Sequence, residues 1–430
     1  MRAGSFVRRR VGAVLVGIAI PAGASAQPPA APPPQARVSM ADAVRLALAH
    51  NHQLAAQRMN VDISKADEVT AALKPNPVLS SVNENFRVFT PSELNWDNFA
   101  NNQNFVDSIS YLFERGGKRD KRTLVAKDTT EVAARTATDS ERQVIFQTEQ
   151  AFINVLLARS TLDLAREDLK NFSDVVEVNR QRMIAGDLAE AEFAKISLQK
   201  LQFEQDVTNG EAGLVQAKNA LRLSLGFEAL AEDFEVDGDL AYVQHPVALD
   251  DLKREALLSR PDLLAAQTGV KLAQDTTALA FANRARDVTG EVEYDRAGDF
   301  NALGFGVSIE LPIHDRNQGN IAHSQIAARQ AAETEIQART GVLTDVVNAY
   351  AAYQSNEKVV ALYQSGYLEQ ARQSLETARY VFQRGAGSLL DLLDAERTYR
   401  STQLAFRQAL AAYMTSVQQI NFAVGKQVVQ

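Results

Sequence analysis

The 430-residue chain contains no cysteine. Disulfides, thiolate metal sites and cysteine nucleophiles are therefore excluded, and no thiol is present to carry a lipid. Histidine is scarce, with only five residues. His50 and His52 stand two apart and face different sides of a helix, a poor metal pair. The five methionines are scattered and form no copper-binding cluster. No HExxH, nucleophile elbow or phosphate loop is present, so neither an enzyme nor a cofactor or metal site is expected. Proline is missing between Pro91 and Pro246 and again after Pro312. Lys118–Ala185 lacks glycine as well. No apolar run of 18 residues follows the N-terminus, which argues against a membrane-spanning helix but leaves a β-barrel open.

What is present begins with an export signal. Arg2, Arg8, Arg9 and Arg10 precede an apolar run, Val11–Ile20. Pro21 and the small residues Ala24-Ser25-Ala26 follow, so 1–26 reads as a cleaved signal peptide. The four arginines leave with it, taking the formal charge from −8 to −12. An acidic exported chain is a poor nucleic-acid binder. Residues 27–37 form a proline-rich arm.

The remainder divides into two matching stretches, 38–226 and 249–425, joined by 227–248 and ending in a tail, 426–430. Asp42–Leu48 corresponds to Asp251–Leu257, Asn51–Leu54 to Arg260–Leu263, and Arg180–Gly186 to Arg379–Gly385. Leu225-Gly226 corresponds to Val424-Gly425, so the register is kept to both ends. The proline-free run from Lys118 predicts a helix roughly 100 Å long at 1.5 Å per residue. Val155, Leu162, Leu169, Val176 and Met183 recur every seven residues along it, a coiled-coil seam. Ala361, Leu368, Leu375 and Phe382 repeat the seam in the second half. Gly186, and Gly385 with Gly387, then turn each long helix back as a hairpin.

Four strands are expected between the helices. Leu303–Leu311, Val288–Asp295 and Phe105–Phe113 alternate apolar with polar or small residues; Val82–Phe89 does so more weakly. Period two over about nine residues suits a tilted membrane strand. Glu291, Glu293, Asp295 and Glu310 would then face a lumen, with Val292, Tyr294, Phe305, Val307 and Ile309 facing lipid. Tyr111, Phe113, Phe89 and Tyr294 would lie near the strand ends, as an aromatic belt does. The same pattern suits a soluble sandwich of four strands. Four strands cannot close a barrel alone, whereas three chains supplying four each can.

Three motifs sharpen this reading: Leu73-Lys74-Pro75-Asn76-Pro77, Gly116-Gly117-Lys118-Arg119, and Leu311–Asn320, which includes Asp315-Arg316-Asn317-Gln318-Gly319. With them the chain resembles the TolC-type outer-membrane efflux family, in particular the branch serving heavy-metal pumps of the cobalt–zinc–cadmium kind. The resemblance implies a fold that is mainly α with a β-barrel part. In a homotrimer, four membrane strands per protomer would join one barrel, continued into the periplasm by an α-helical barrel. It implies the outer membrane of a Gram-negative bacterium as location, outer-membrane lipid as surroundings, and a periplasmic adaptor and an inner-membrane pump as partners. It implies a passive exit duct with metal cations as cargo; drugs or type I secretion cargo remain the alternative. From the residues alone, a poreless adaptor or structural coiled-coil protein is the other reading, although an adaptor would show one hairpin and small β domains. Lys118, Arg119, Lys121 and Arg122 would lie near anionic headgroups, or act as a plain solvated connector. Asp391 and Asp394 match the paired aspartates of the family's periplasmic constriction. Their spacing of three puts both on one helix face, and three copies would form two carboxylate rings; the spacing alone equally fits a solvated stripe. Their first-half counterparts are Glu192 and Lys195.

Overall fold

The computed structural model describes residues 37–84, 95–97 and 104–429. The expected signal peptide, most of the proline-rich arm and Phe89 lie outside the described residues. In the first half, β1 (Arg37–Val38) leads into α1 (Met40–His50) and α2 (His52–Ala72). β2 (Val78–Glu84), β3 (Asn104–Phe113), α3 (Lys118–Ile184) and α4 (Glu190–Leu225) follow. β4 (Glu235–Val236) lies in the connection and pairs in parallel with β1. The second half runs α5 (Leu249–Ser259), α6 (Pro261–Ala282), β5 (Val288–Ala297), β6 (Phe300–Ile309), α7 (Gln318–Leu362), α8 (Leu368–Gln383) and α9 (Leu389–Val424). The chain is thus mostly helical with one four-stranded antiparallel sheet, ordered β2-β3-β5-β6.

The 67 residues of α3 form one unbroken helix, as its lack of glycine and proline predicts. Of the expected seam, Val155 and Leu162 are buried, together with Ala165 and Phe172 between the heptad positions, while Leu169, Val176 and Met183 are only partly buried. The second-half seam departs from expectation. A π-type turn, Tyr363–Tyr367, separates α7 from α8, and Gly366 within it has φ +128°. Ala361 before the break is exposed and Leu368 just after it partly buried, while Leu375 and Phe382 further on are buried as expected. Glycine tolerates this backbone where another residue would be strained.

Three other boundaries differ. The first strand begins at Val78, four residues before the expected Val82, and is described to Glu84; the rest of the expected Val82–Phe89 lies outside the described residues. Its start carries the like pairs Val78-Leu79 and Ser80-Ser81, which hide the alternation. β6 ends at Ile309, so Leu311 and Glu310 lie beyond it. Arg37, placed at the end of the proline-rich arm, belongs to β1. The tail is docked: Val428 and Val429 donate backbone N–H bonds to Asn421 Oδ1 at 2.8 and 2.9 Å.

Three apolar cores succeed one another. One joins α1, α3 and α4 with Phe234 and Val236. The second joins α5, α6, α7 and α9 around Tyr413 and Val346. The third lies toward the hairpin turns, around Phe172, Ile196, Phe203, Leu375, Phe382 and Leu392. The two halves close with the same joint. Gly226 (φ +88°) and Gly425 (φ +89°) end α4 and α9. A Cβ on Gly226 would meet His50 O, and one on Gly425 would meet Arg260 Cα at 3.1 Å. Each short helix α1 and α5 therefore ends against the glycine that closes its own half.

Glu149 on α3 is partly buried without a compensating charge, which pushes its carboxyl up to about 7. A carboxyl raised in the folded state costs nothing below its unfolded value near 4.5 and costs most above 7. Glu149→Gln should therefore raise stability by on the order of 2–3 kcal/mol at pH 8. The gain should vanish below about pH 4.5. Unfolding midpoints at the two pH values test this; an equal shift at both would refute it.

Candidate functional site

The four-stranded sheet has two chemically distinct faces, set by cross-strand register. Val292 of β5 stands between Ile109 of β3 and Phe305 of β6, and Ile109 in turn opposes Leu79 of β2. Cross-strand partners share a face, so these four form one apolar row. Tyr111, Gly290 and Val307 make the next row, and Phe113, Val288 and Ile309 the one after. This face lies open: Leu79 is 73% exposed, Phe305 82% and Val307 79%. Tyr111 and Phe113 meet edge to face at 4.9 Å near the end of β3. Tyr294 donates its hydroxyl proton to Asn301 Oδ1 at 2.6 Å.

The opposite face carries the glutamates with serines and glycines, although Val78, Val82, Val106 and Leu112 also stand on it, and Asp107 with Ser81 interrupts the apolar face beside Tyr294. Glu293 pairs with Ser108 and Gly304, and Glu291 with Ser110 and Gly306. A Cβ on either glycine would stand 3.6 Å from the facing glutamate's Cβ, an ordinary contact. Asp295 lies on the same face beside Val106 and Ala302. Glu310 stands apart: it follows the strand and pairs with Arg286 at 3.1 Å. Long alternating strands with an outward apolar face are the form that crosses a membrane as part of a barrel. Among the described residues no helix is long and apolar enough to cross a membrane.

The strand-to-helix motifs build the joints between sheet and helices. Gly116 and Gly117 both adopt left-handed backbone, at φ +72° and +68°. A Cβ on Gly116 would meet Ala285 Cβ at 2.7 Å. Asn317 holds the equivalent place before α7 with φ +60°, and its side-chain amide donates to Ala280 O at 2.7 Å. Asp315 Oδ1 accepts from Asn317 N at 2.7 Å, and Gln318 Oε1 accepts from Arg316 N at 2.7 Å. Gly319 needs no special backbone; it lies in the first turn of α7. Lys118 pairs with Asp287 at 2.8 Å, and Arg122 with Glu114 at 2.7 Å. Arg122 also donates to Ala71 O and Leu73 O at 2.9 and 3.1 Å, tying the Leu73–Pro77 entry to α3. Two of the four cations expected at headgroups are thus compensated within the chain. The Lys118–Asp287 pair, 169 residues apart, left no local trace in the sequence.

At the far end of the molecule both hairpins turn through left-handed glycines, Gly186 (φ +87°) and Gly385 (φ +73°). Asp187 N bonds to Arg182 O at 2.8 Å, and Ala386 N to Val381 O at 3.1 Å, the Schellman closure of a helix end. Gly387 is there for space: a Cβ would press on Val381 Cγ1 at 3.1 Å. Ser388 then caps α9. Its Oγ accepts from Asp391 N at 3.1 Å, while Asp391 accepts in return from Ser388 N and Oγ. Asp391 is therefore half of a capping box, a role legible in the Ser388-Leu-Leu-Asp391 spacing but missed there. Asp394 pairs with Arg397 at 2.6 Å on the exposed helix surface. Both aspartates line one groove with Thr377, Gly387 and Thr398. The sheet carboxylates and these aspartates are not brought together: α7 and α8, about 100 Å of helix, separate them. Among the described residues no three His, Asp or Glu side chains stand close enough to hold a metal ion.

The fold that results, a two-faced sheet carried on long paired helices, is that of the outer-membrane efflux channels. The crystal structure of CusC superposes with a TM-score of 0.75 at 20% identity, covering 94% of this chain and 99% of that one. Residues 252–426 match the family described as Outer membrane efflux protein. The chain is 24% identical to the cobalt-zinc-cadmium resistance protein CzcC of Cupriavidus metallidurans, over 89% of both chains. It is 29% identical to the cation efflux system protein CusC of Escherichia coli, over 59% of this chain and 58% of that protein. The family resemblance drawn from the motifs is borne out.

Proposed function

We propose that the protein is the outer-membrane exit duct of a tripartite efflux system, passing metal cations from periplasm or pump to the exterior. The observation that carries this is the sheet. Its apolar face is uncovered over several successive rows while carboxylates line the other, and β2 and β6 leave both edges open. Three protomers closing edge to edge would bury those edges and place Glu291, Glu293 and Asp295 around a common lumen, apolar side to lipid. The long helices would then continue the duct into the periplasm, toward an adaptor and an inner-membrane pump. The kinship with CzcC and CusC supports metal cargo. The matched element order of the halves, each ending on a glycine joint, supports an internal repeat over 38–226 and 249–425. In this reading the duct conducts and the pump selects.

Asp391 and Asp394 are the gate in this reading. They stand on one exposed face at the tip of the second hairpin, and three copies would set two carboxylate rings around the axis. The test is deletion of the protein, followed by growth on a panel of metal salts and antibiotics. Loss of tolerance to divalent metals with unchanged antibiotic tolerance is expected, and the reverse pattern would move the cargo to drugs. The double variant Asp391→Ala/Asp394→Ala should assemble normally and lose cation selectivity by several fold in planar-bilayer recordings. Unchanged selectivity would reduce the pair to helix cap and surface charge.

A further inference from the structure

Away from the sheet and the hairpin tips, a hollow of about 650 Å³ opens between α3, α4 and α9 of one chain. Its walls are largely apolar, with Leu164, Phe203 and Leu404 among them, and Gly210 and Gly213 keep the α4 side shallow. Three charged side chains at its border are already committed. Arg400 pairs with Asp206 at 2.6 Å, and Arg397 with Asp394 at 2.6 Å. Asp168 is different. It is 8% exposed, lines the hollow, and its Oδ2 has no hydrogen-bond partner. A buried polar atom without a partner is rare in folded proteins and calls for an explanation.

We propose that this hollow is a binding site for small organic cations, an ammonium group on an apolar body, with Asp168 as the counter-charge. The volume suits one compact organic molecule. An inorganic divalent ion fits poorly, because such ions need several oxygen ligands and only one carboxylate is free. An ammonium would supply the donors that Asp168 lacks, and its apolar body would cover Phe203 and the leucines. Other charged groups act on Asp168 as well. Glu167 lies beside it on α3, Glu396, Arg400 and Arg407 face it from α9, and Asp206 borders the hollow from α4. Burial, then Glu396, raises the Asp168 carboxyl to about 6, against the pull of Arg400 and Arg407. Binding of a cation needs the ionised form, so affinity should fall as the pH drops below about 6.

The test uses the full chain purified in detergent and 2-phenylethylammonium as probe, followed by calorimetry or saturation-transfer NMR. Saturable binding is expected at pH 7.5, weakened at least tenfold by Asp168→Asn and at pH 5. Gly213→Leu should abolish it by filling the hollow: a Cβ there meets nothing within 4 Å, and leucine favours helix over glycine. Neutral 2-phenylethanol should bind at least tenfold more weakly and without pH dependence. Probe binding unchanged by both substitutions, or equal binding of the neutral alcohol, would overturn the proposal. So would displacement of the probe by an equal concentration of sodium.

Discussion

Arg260→Ala is expected to destabilise the folded chain by about 3 kcal/mol, the low end of the cost of breaking a buried ion pair. Arg260 is 4% exposed and bridges three groups. It meets Asp262 at 2.6 Å and Asp345 at 3.0 Å, and it donates to Ala423 O at 3.0 Å. The last contact satisfies a carbonyl at the C-terminal end of α9 that the helix itself leaves unpaired. Removing the guanidinium strands that carbonyl and leaves Asp262 half-buried. Nearby Arg142 limits the loss, because its charge also holds the Asp262 carboxyl down. Lysine cannot substitute, since one ammonium cannot span the fork that meets both carboxylates and the carbonyl. The first half makes the corresponding joint with a neutral residue: Asn51 donates to Ser224 O at 2.9 Å. Asn51→Ala should therefore cost only about 1 kcal/mol. Denaturant melts of the two variants, followed by helical circular dichroism, give the comparison. Equal midpoint shifts would show that the buried charge network adds nothing to a simple cap.

The contrast between the two joints also shows how far the sequence could be read. Asn51 and Arg260 occupy equivalent positions in the repeat pattern, and that equivalence was visible. That the arginine recruits Asp345 from α7, 85 residues away, was not. The same holds throughout. The length of α3 followed from missing glycine and proline, and its seam from heptads, because both are local properties. The break at Gly366 escaped because one glycine within a helical pattern is ordinarily tolerated. The sheet faces were legible in most of β5 and β6, where alternation is regular, and less so in β3, where Asp107, Val106 and Leu112 break it. They were obscured in β2, where like residues adjoin. Of the candidate gate, the shared helix face of Asp391 and Asp394 was readable. The capping box was equally readable from the Ser388-to-Asp391 spacing.

The sheet yields the sharpest test, because neighbours in sequence carry opposite expectations. Val292→Lys should prevent assembly, whereas Glu293→Lys should leave it intact. Val292 sits in the apolar row with Leu79, Ile109 and Phe305, and is itself 48% exposed in the single chain. In a membrane barrel it would face hydrocarbon, where a lysine near the midplane costs about 2–4 kcal/mol per copy. Three copies multiply that to roughly 6–12 kcal/mol per trimer, comparable to the whole stability of an ordinary domain. Glu293 lies one residue on and therefore on the other face, opposite Ser108 and Gly304. Water in a lumen would solvate the ammonium. Glu293→Lys should then insert normally and reverse part of the charge lining the pore, lowering cation-over-anion selectivity in bilayer recordings. Heat-resistant trimer on gel electrophoresis of outer-membrane fractions reads the first effect, and reversal potentials read the second. If Glu293→Lys abolished assembly and Val292→Lys did not, the faces would be inverted. If neither mattered, the sheet would not be a wall between lipid and water at all.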